Sequence, residues 1–292
     1  MKQQEWSGRT YGSGWMHLWL VRLLKVTDVR ILYVFIAVAI IPVVLVFSRS
    51  RAVVYRFMRL RMGYGRMKSM WKTYISHCMF GQTVVDRFAM YAGKEFEVKV
   101  QGMEHMDRLM ALPGAFLTMS SHIGNYELAG YTFRASAKRM NVLLFSGEKA
   151  SVMENRRRML EANNIGIIPV ADDMSHLFEI NRVLASGEVL GMAADRLNGS
   201  AKSIRKSFMG ADVLLPQGPF SLATIRPLPV LAVDVLKTGS RQYTAYVSPL
   251  HYDMQAPRAE QMHQLSQAYT DNMDRMTRQY PTQWFNYFEF WI

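Results

Sequence analysis

Seventeen consecutive residues, Ile31 to Phe47 (ILYVFIAVAIIPVVLVF), carry no charge. A helix that crosses a bilayer needs about 20 such residues, with ~17 as the lower limit. A run this apolar must be covered by protein, as a core helix, or by lipid. Pro42 lies inside it and is expected to kink or end a helix, because proline has no N–H to donate. Upstream, Trp15–Val26 (WMHLWLVRLLKV) is apolar with Arg22 and Lys25 spaced as a polar stripe, the pattern of an interfacial helix. Downstream the charge is one-sided. Between Asp28 and Asp86 there is no acidic residue, but there are nine basic ones: Arg30, Arg49, Arg51, Arg56, Arg59, Arg61, Arg66, Lys68 and Lys72. Basic side chains beside an apolar segment are drawn to anionic headgroups. Nucleic acid competes for the same charges, since Tyr55, Phe57, Tyr64 and Trp71 are interleaved with them. The adjoining apolar run favours lipid, and no nucleic-acid partner is expected. The N-terminal region is read as helical and membrane-associated, either as a short span or as a helix lying in the interface. The run starts too late for a cleavable signal and no small-residue cleavage site follows. Basic residues at both ends point to a cytoplasmic C-terminal part.

The rest of the 292 residues reads as a packed domain. Half the chain is hydrophobic and 20% is charged, which excludes wholesale disorder. The single cysteine, Cys78, excludes internal disulfides and a cysteine zinc site. Apolar runs suited to strands occur at Phe96–Val100, Ala115–Met119, Asn141–Phe145, Gly166–Val170, Val189–Ala193, Pro229–Val235 and Gln242–Val247. Helical stretches lie between or after them, at Tyr126–Ala137, Ser151–Asn163, Ser175–Ser186, Pro216–Ile225 and Arg258–Gln279. Alternation of this kind predicts an α/β fold, a central mixed sheet flanked by helices. The simplest division is a membrane-associated helical region over residues 1–90 and a catalytic domain over 91–292.

Of seven histidines, His122 has the most suggestive surroundings, MSSHIGNYELAG. It follows an apolar strand and precedes a helix, and sites form at the carboxyl ends of strands in α/β sheets. Gly124 permits a tight turn or a close approach to a ligand, and Asn125 is a good N-cap for a helix starting at Tyr126. Glu127 lies five residues on. With His122 in a loop and Glu127 in the first helical turn the two can meet. Glu127 would then fix the imidazole tautomer, leaving the other nitrogen as a general base. The simpler alternative is a histidine that caps the loop and a glutamate that favours the helix dipole. There is no H-E-x-x-H, no G-x-S-x-G, no P-loop and no G-x-G-x-x-G, so metal-dependent, serine-hydrolase and nucleotide chemistry have no motif here.

The H-x-x-x-x-E of HIGNYE resembles the signature of the glycerolipid acyltransferase superfamily. Within it, the chain is most similar to the bacterial late acyltransferases of lipid A biosynthesis, the lauroyl/myristoyl transferases. Other segments match in order: Gly102–Met106, Ser186-Gly187-Glu188 through Ala194-Asp195-Arg196, Phe208-Met209-Gly210-Ala211, Leu215–Phe220, Pro229-Val230, and the ending Pro281-Thr282-Gln283-Trp284-Phe285. The resemblance implies acyl transfer from acyl carrier protein to a hydroxyl of a lipid A precursor at the cytoplasmic face of an inner membrane. His122 would be the base and Glu127 its holder, with no covalent acyl-enzyme and no cofactor or metal. The tetrahedral oxyanion then needs a donor, either the backbone amides near Gly124–Asn125 or a nearby basic side chain. Asn125, Arg157, Asp195, Arg196 and Gly218 are the expected substrate-binding positions, Arg157 as part of the run Arg156-Arg157-Arg158. Gln217 and Pro219-Phe220 stand where glycerol-phosphate acyltransferases carry the glutamate and arginine of P-E-G-T-R, which argues against a glycerol-phosphate acceptor. Another lipid acceptor, an aminolipid, lysophospholipid or pigment-linked lipid, fits the same pattern, as does a non-catalytic membrane-binding protein of this fold.

Overall fold

The computed structural model describes residues 14–128, 138–145, 157, 160–161, 163–170, 175–197 and 202–292. It opens with helix α1 (Gly14–Val26) and helix α2 (Val29–Phe35). Asp28 starts α2 by accepting the backbone N–H of Arg30 at 2.8 Å, the ordinary work of an N-cap aspartate. A π-helical turn, Ile36–Ile40, leads into α3 (Ile41–Phe47). Pro42 therefore neither ends the helix nor stands in a regular interior. The widened turn before it takes up the bond that proline cannot make. Val29–Phe47 is long and apolar enough to cross a membrane.

Helices α4 (Ser50–Leu60) and α5 (Arg66–Tyr91) follow. The apolar segment runs along α5. Ile36 sits over Gly81, where a Cβ would lie 2.7 Å from Ile36 Cγ2, and the Tyr74 hydroxyl donates to the Ala37 carbonyl at 2.9 Å. Leu24, Val29 and Ile41 are buried with Val85, Phe88 and Ala89, while Ile31, Val34, Val38, Val46 and Phe47 face outward.

The α/β domain is built on strands β1 (Glu97–Gln101), β2 (Phe116–Ser120), β3 (Met140–Phe145), β4 (Ile165–Val170), β5 (Val189–Ala193), β8 (Val230–Lys237) and β9 (Gln242–Pro249). Their spatial order is β1-β9-β8-β2-β5-β3-β4. β8 and β9 are antiparallel and the other neighbours parallel, so the sheet is mixed. Helices α6 (Met103–Ala111), α7 (His176–Ala185), α8 (Gln217–Ile225) and α9 (Arg258–Gln279) complete the described elements of the domain. β2 is covered on both faces: Phe116, Leu117 and Met119 are all buried. That is why its sequence is an unbroken apolar run and not an alternating one.

Tyr126–Leu128, the first residues of the helix expected to reach Ala137, form a 3-10 turn, and 129–137 lie outside the described residues. Most of Ser151–Asn163 lies outside them too. An antiparallel hairpin, β6 (Ser203–Phe208) and β7 (Ala211–Pro216), was not anticipated. Its two-residue turn, Met209-Gly210, has positive φ at both positions, 51° and 81°, which matches the twist of hairpin strands.

After α9 the chain returns to the sheet. The Gln283 side chain is buried and pairs with the backbone of Lys237 in both directions: it accepts the Lys237 N–H and donates to the Lys237 carbonyl, each at 2.8 Å. Trp284 then buries its ring among Phe57, Phe208 and Phe290. Gln283→Ala leaves both backbone groups of Lys237 buried without partners, at a cost of about 1–3 kcal/mol. Thermal unfolding followed by circular dichroism is expected to show a midpoint lowered by several degrees.

Candidate active site

β2 and β5 are parallel neighbours with Ser120 opposite Ala193. Both strands end at the same edge of the sheet. His122 stands two residues beyond one and Asp195 two residues beyond the other. The pairing brings them together: the His122 backbone N–H donates to Asp195 Oδ2 and its ring Nδ1 to Oδ1, both at 2.7 Å. Because an ionised carboxylate only accepts, Nδ1 carries the ring proton and Nε2 keeps the lone pair.

Burial sets the charge states. The His122 side chain is 14% exposed and that of Asp195 is 3% exposed. Burial pushes the imidazole below its ordinary pKa, Arg196 adds to this, and Asp195 opposes it. Burial also works against ionising Asp195, but His122, its N–H groups and Arg196 together outweigh it and hold the carboxyl below the usual range. At neutral pH the pair is a carboxylate and a neutral imidazole.

The expected partner of His122 is thereby corrected. The Glu127 carboxylate sits on Arg87 of α5, Nη1 to Oε1 at 2.9 Å, and Nδ1 is taken by Asp195. The physical reason lies in the loop between His122 and Glu127. Ile123 bridges Trp284, Gly124 bridges Val235, and the His122 carbonyl accepts the N–H of Phe285 at 3.0 Å. The loop is held between β8 and the C-terminal segment, and Glu127 falls in a 3-10 turn beside Arg87.

The same clamp removes one of the two proposed oxyanion donors. The Gly124 N–H is bonded to the Gln283 carbonyl and the Asn125 N–H to the Val235 carbonyl, both at 2.7 Å. Gly124 has φ +67°, and a Cβ there would lie 2.1 Å from the Val235 oxygen. Asn125 is buried and also accepts the Leu128 N–H at 3.0 Å, so its backbone shapes the turn. Among the basic side chains, Arg196 adjoins the pair. Its Nη2 donates to the Phe285 carbonyl at 3.0 Å and its guanidinium lies 5.6 Å from the Phe288 ring centre. Tyr126 stands edge-on to the His122 ring at 5.3 Å.

Two expected positions are not drawn into this cluster. Arg157 is exposed and pairs with Glu161 at 3.2 Å along its own segment, while Arg156 and Arg158 lie outside the described residues. Gly218 is in the first turn of α8, and a Cβ there meets open space, so no close approach requires glycine. Among the described residues no group of three His, Cys, Asp or Glu side chains is placed to hold a metal.

Sequence reasoning missed two buried carboxylates. Asp234 on β8 accepts from Ser121 Oγ at 3.2 Å and Asn272 Nδ2 at 2.8 Å. Burial, outweighing those bonds, pushes it up to about 6. Asp86 on α5 is fully buried and accepts from Lys237 Nζ and the hydroxyls of Tyr33 and Tyr243. The signal was available: Asp234 and Lys237 interrupt an otherwise apolar strand, VLAVDVLK, all of which is buried.

The family model described as bacterial lipid A biosynthesis acyltransferase matches residues 67–291, and the chain belongs to that family. It is a lipid acyltransferase. Among solved structures it is similar to the crystal structure of the 1-acyl-sn-glycerophosphate (LPA) acyltransferase PlsC from Thermotoga maritima, at 13% identity and a TM-score of 0.39, over 90% of this chain and 98% of that one. No curated protein matches the chain.

Gly124→Ala is expected to distort the His122 loop. Left-handed backbone costs a non-glycine residue about 1–2 kcal/mol, and the clash with Val235 adds to that. The melting midpoint and acyl transfer should both fall, whereas Gly218→Ala should leave the midpoint unchanged.

Proposed function

We propose that the protein transfers a fatty acyl chain from the thioester of acyl carrier protein to a hydroxyl of a lipid A precursor, with His122 as general base. The observation that carries this reading is the bond from His122 Nδ1 to Asp195 at the strand ends. Nε2 removes the proton of the acceptor hydroxyl as its oxygen attacks the thioester carbon. Asp195 holds the ring in the Nδ1–H tautomer and stabilises the imidazolium that forms. The tetrahedral oxyanion is stabilised by Arg196, the cation beside the pair. As the intermediate collapses, the C–S bond breaks and the imidazolium returns its proton to the departing thiolate. Glu127, fixed by Arg87, anchors the turn after His122 to α5.

The protein works at the cytoplasmic face of the inner membrane in this proposal. Support comes from the outward apolar face of Val29–Phe47, together with Trp15 and Trp19, which are 70% and 60% exposed on α1. Such surface is unusual against water and ordinary against lipid.

His122→Ala is expected to reduce transfer by about 10²–10⁴-fold in a protein that stays folded, with a modestly lowered melting midpoint because Asp195 Oδ1 loses the ring N–H. Activity near wild type in a folded mutant would refute the mechanism. The wild-type pH profile follows from the neutral imidazole being the active form. Activity is lost as pH falls through a pKa held below the ordinary 6.5 by burial, so the profile is flat at pH 7 and above. Asp195→Asn removes the charge that favours the imidazolium. It is expected to lower the plateau of kcat/KM and move the acid limb to lower pH.

A further inference from the structure

We propose that the cleft between the end of the apolar helix and the C-terminal tail is a binding site for the phosphate of an anionic lipid headgroup. The cleft has a volume of about 520 Å³ and is lined on one side by α3 and α4 and on the other by Tyr287, Phe288 and Glu289. That volume is in the range of small-molecule sites. Its chemistry is divided. Val46 and Phe47, the last two residues of the apolar helix, are 66% and 83% exposed on one wall. Arg49, Arg51 and Arg56 follow immediately, and Glu289 is the acidic residue facing them. Glu289 is committed to Arg56. Among the described residues, Arg49 and Arg51 have no carboxylate within ion-pair distance.

Two unneutralised guanidinium groups next to bare apolar surface fit an amphiphile. The planar N–H fork of arginine matches phosphate oxygens, while acyl chains would lie over Phe47 and the outward face of the helix. A soluble phosphate compound would leave that apolar wall wet, and this is why the source argued here is a lipid. The site also adjoins the chemistry. Its tail wall begins just after Phe285, whose N–H is bonded to the His122 carbonyl at 3.0 Å, and Phe288 in that wall carries the Arg196 guanidinium at 5.6 Å. The tail thus connects the cleft to the His122 loop and to Arg196 through Phe285 and Phe288. The inference deepens the acyltransferase reading and rests on its membrane-facing orientation of the apolar helix. The ligand class is an anionic phospholipid of the surrounding bilayer, distinct from the acceptor.

The test uses the full-length protein in dodecylmaltoside micelles, titrated calorimetrically with micelles carrying dioleoyl phosphatidic acid, with dioleoyl phosphatidylcholine micelles and inorganic phosphate as separate arms. Saturable binding of phosphatidic acid is expected, with the other two arms much weaker. The double variant Arg49→Gln/Arg51→Gln should weaken it by about tenfold. Ala52→Trp, which fills the cleft and keeps every charge, should weaken it similarly. Arg66→Gln/Lys68→Gln removes the same charge from α5 outside the cleft and should change it by less than about twofold. Equal losses in the two charge-removing pairs would overturn the proposal in favour of general surface attraction. Wild-type binding by Ala52→Trp would overturn it as well, as would inorganic phosphate binding as tightly as phosphatidic acid. Binding is read without turnover, so His122→Ala gives the same isotherm even if the acyl-transfer reading fails.

Discussion

The parallel pairing of β2 with β5, Ser120 against Ala193, is the constraint on which the site depends. Side chains along a strand alternate between faces, so a slip of one residue would turn Asp195 away from His122. The register is held by apolar residues of both strands that are buried on both faces, Phe116 and Leu117 on one strand and Val189 and Leu190 on the other. The geometry of the His122–Asp195 pair is thus a consequence of core packing. The carboxylate then does two things at once: it takes the backbone N–H of His122 and the ring N–H. The first bond positions the residue, and the second selects its tautomer.

A second set of contacts holds the loop from the other side. Gln283 and Phe285 bond to Gly124 and His122, Gln283 is itself locked to the Lys237 backbone, and Lys237 reaches Asp86 and the Tyr33 hydroxyl. Tyr33 belongs to the apolar helix, so a continuous set of hydrogen bonds joins that helix to the His122 loop. Burial draws Lys237 down and Asp86 up, while each favours the charge of the other. Losing one partner of such a pair strands a buried charge, typically at about 3–5 kcal/mol. The N-terminal helices are therefore part of the same packed structure as the site. Asp86 and Arg87, adjacent on α5, bind Lys237 and Glu127 respectively.

Much of the fold was legible because its physics is local. β5 and α9 fall at the residues their patterns indicated, Val189–Ala193 and Arg258–Gln279, since unbroken apolar runs and long helical periods report burial directly. The β6–β7 hairpin was not legible, since four of the six residues of SIRKSF are charged or polar and its turn, Met209-Gly210, lies within a family motif. For the site, His122 and Asp195 were both singled out, but their pairing was not. It joins residues 73 apart in the chain and follows from strand order, which no local pattern encodes. Spacing alone offered Glu127 because a five-residue interval is all that sequence can see.

The central claim is that Asp195 sets the tautomer and charge of His122. Nitrogen-15 NMR of the histidine-labelled protein tests it most directly, with the His122 signals assigned by their loss in His122→Ala. The account predicts a neutral ring at pH 7 with the proton on Nδ1, strongly perturbed in Asp195→Asn and little changed in Glu127→Gln. A proton on Nε2, or signals that respond to Glu127→Gln and ignore Asp195→Asn, would contradict it.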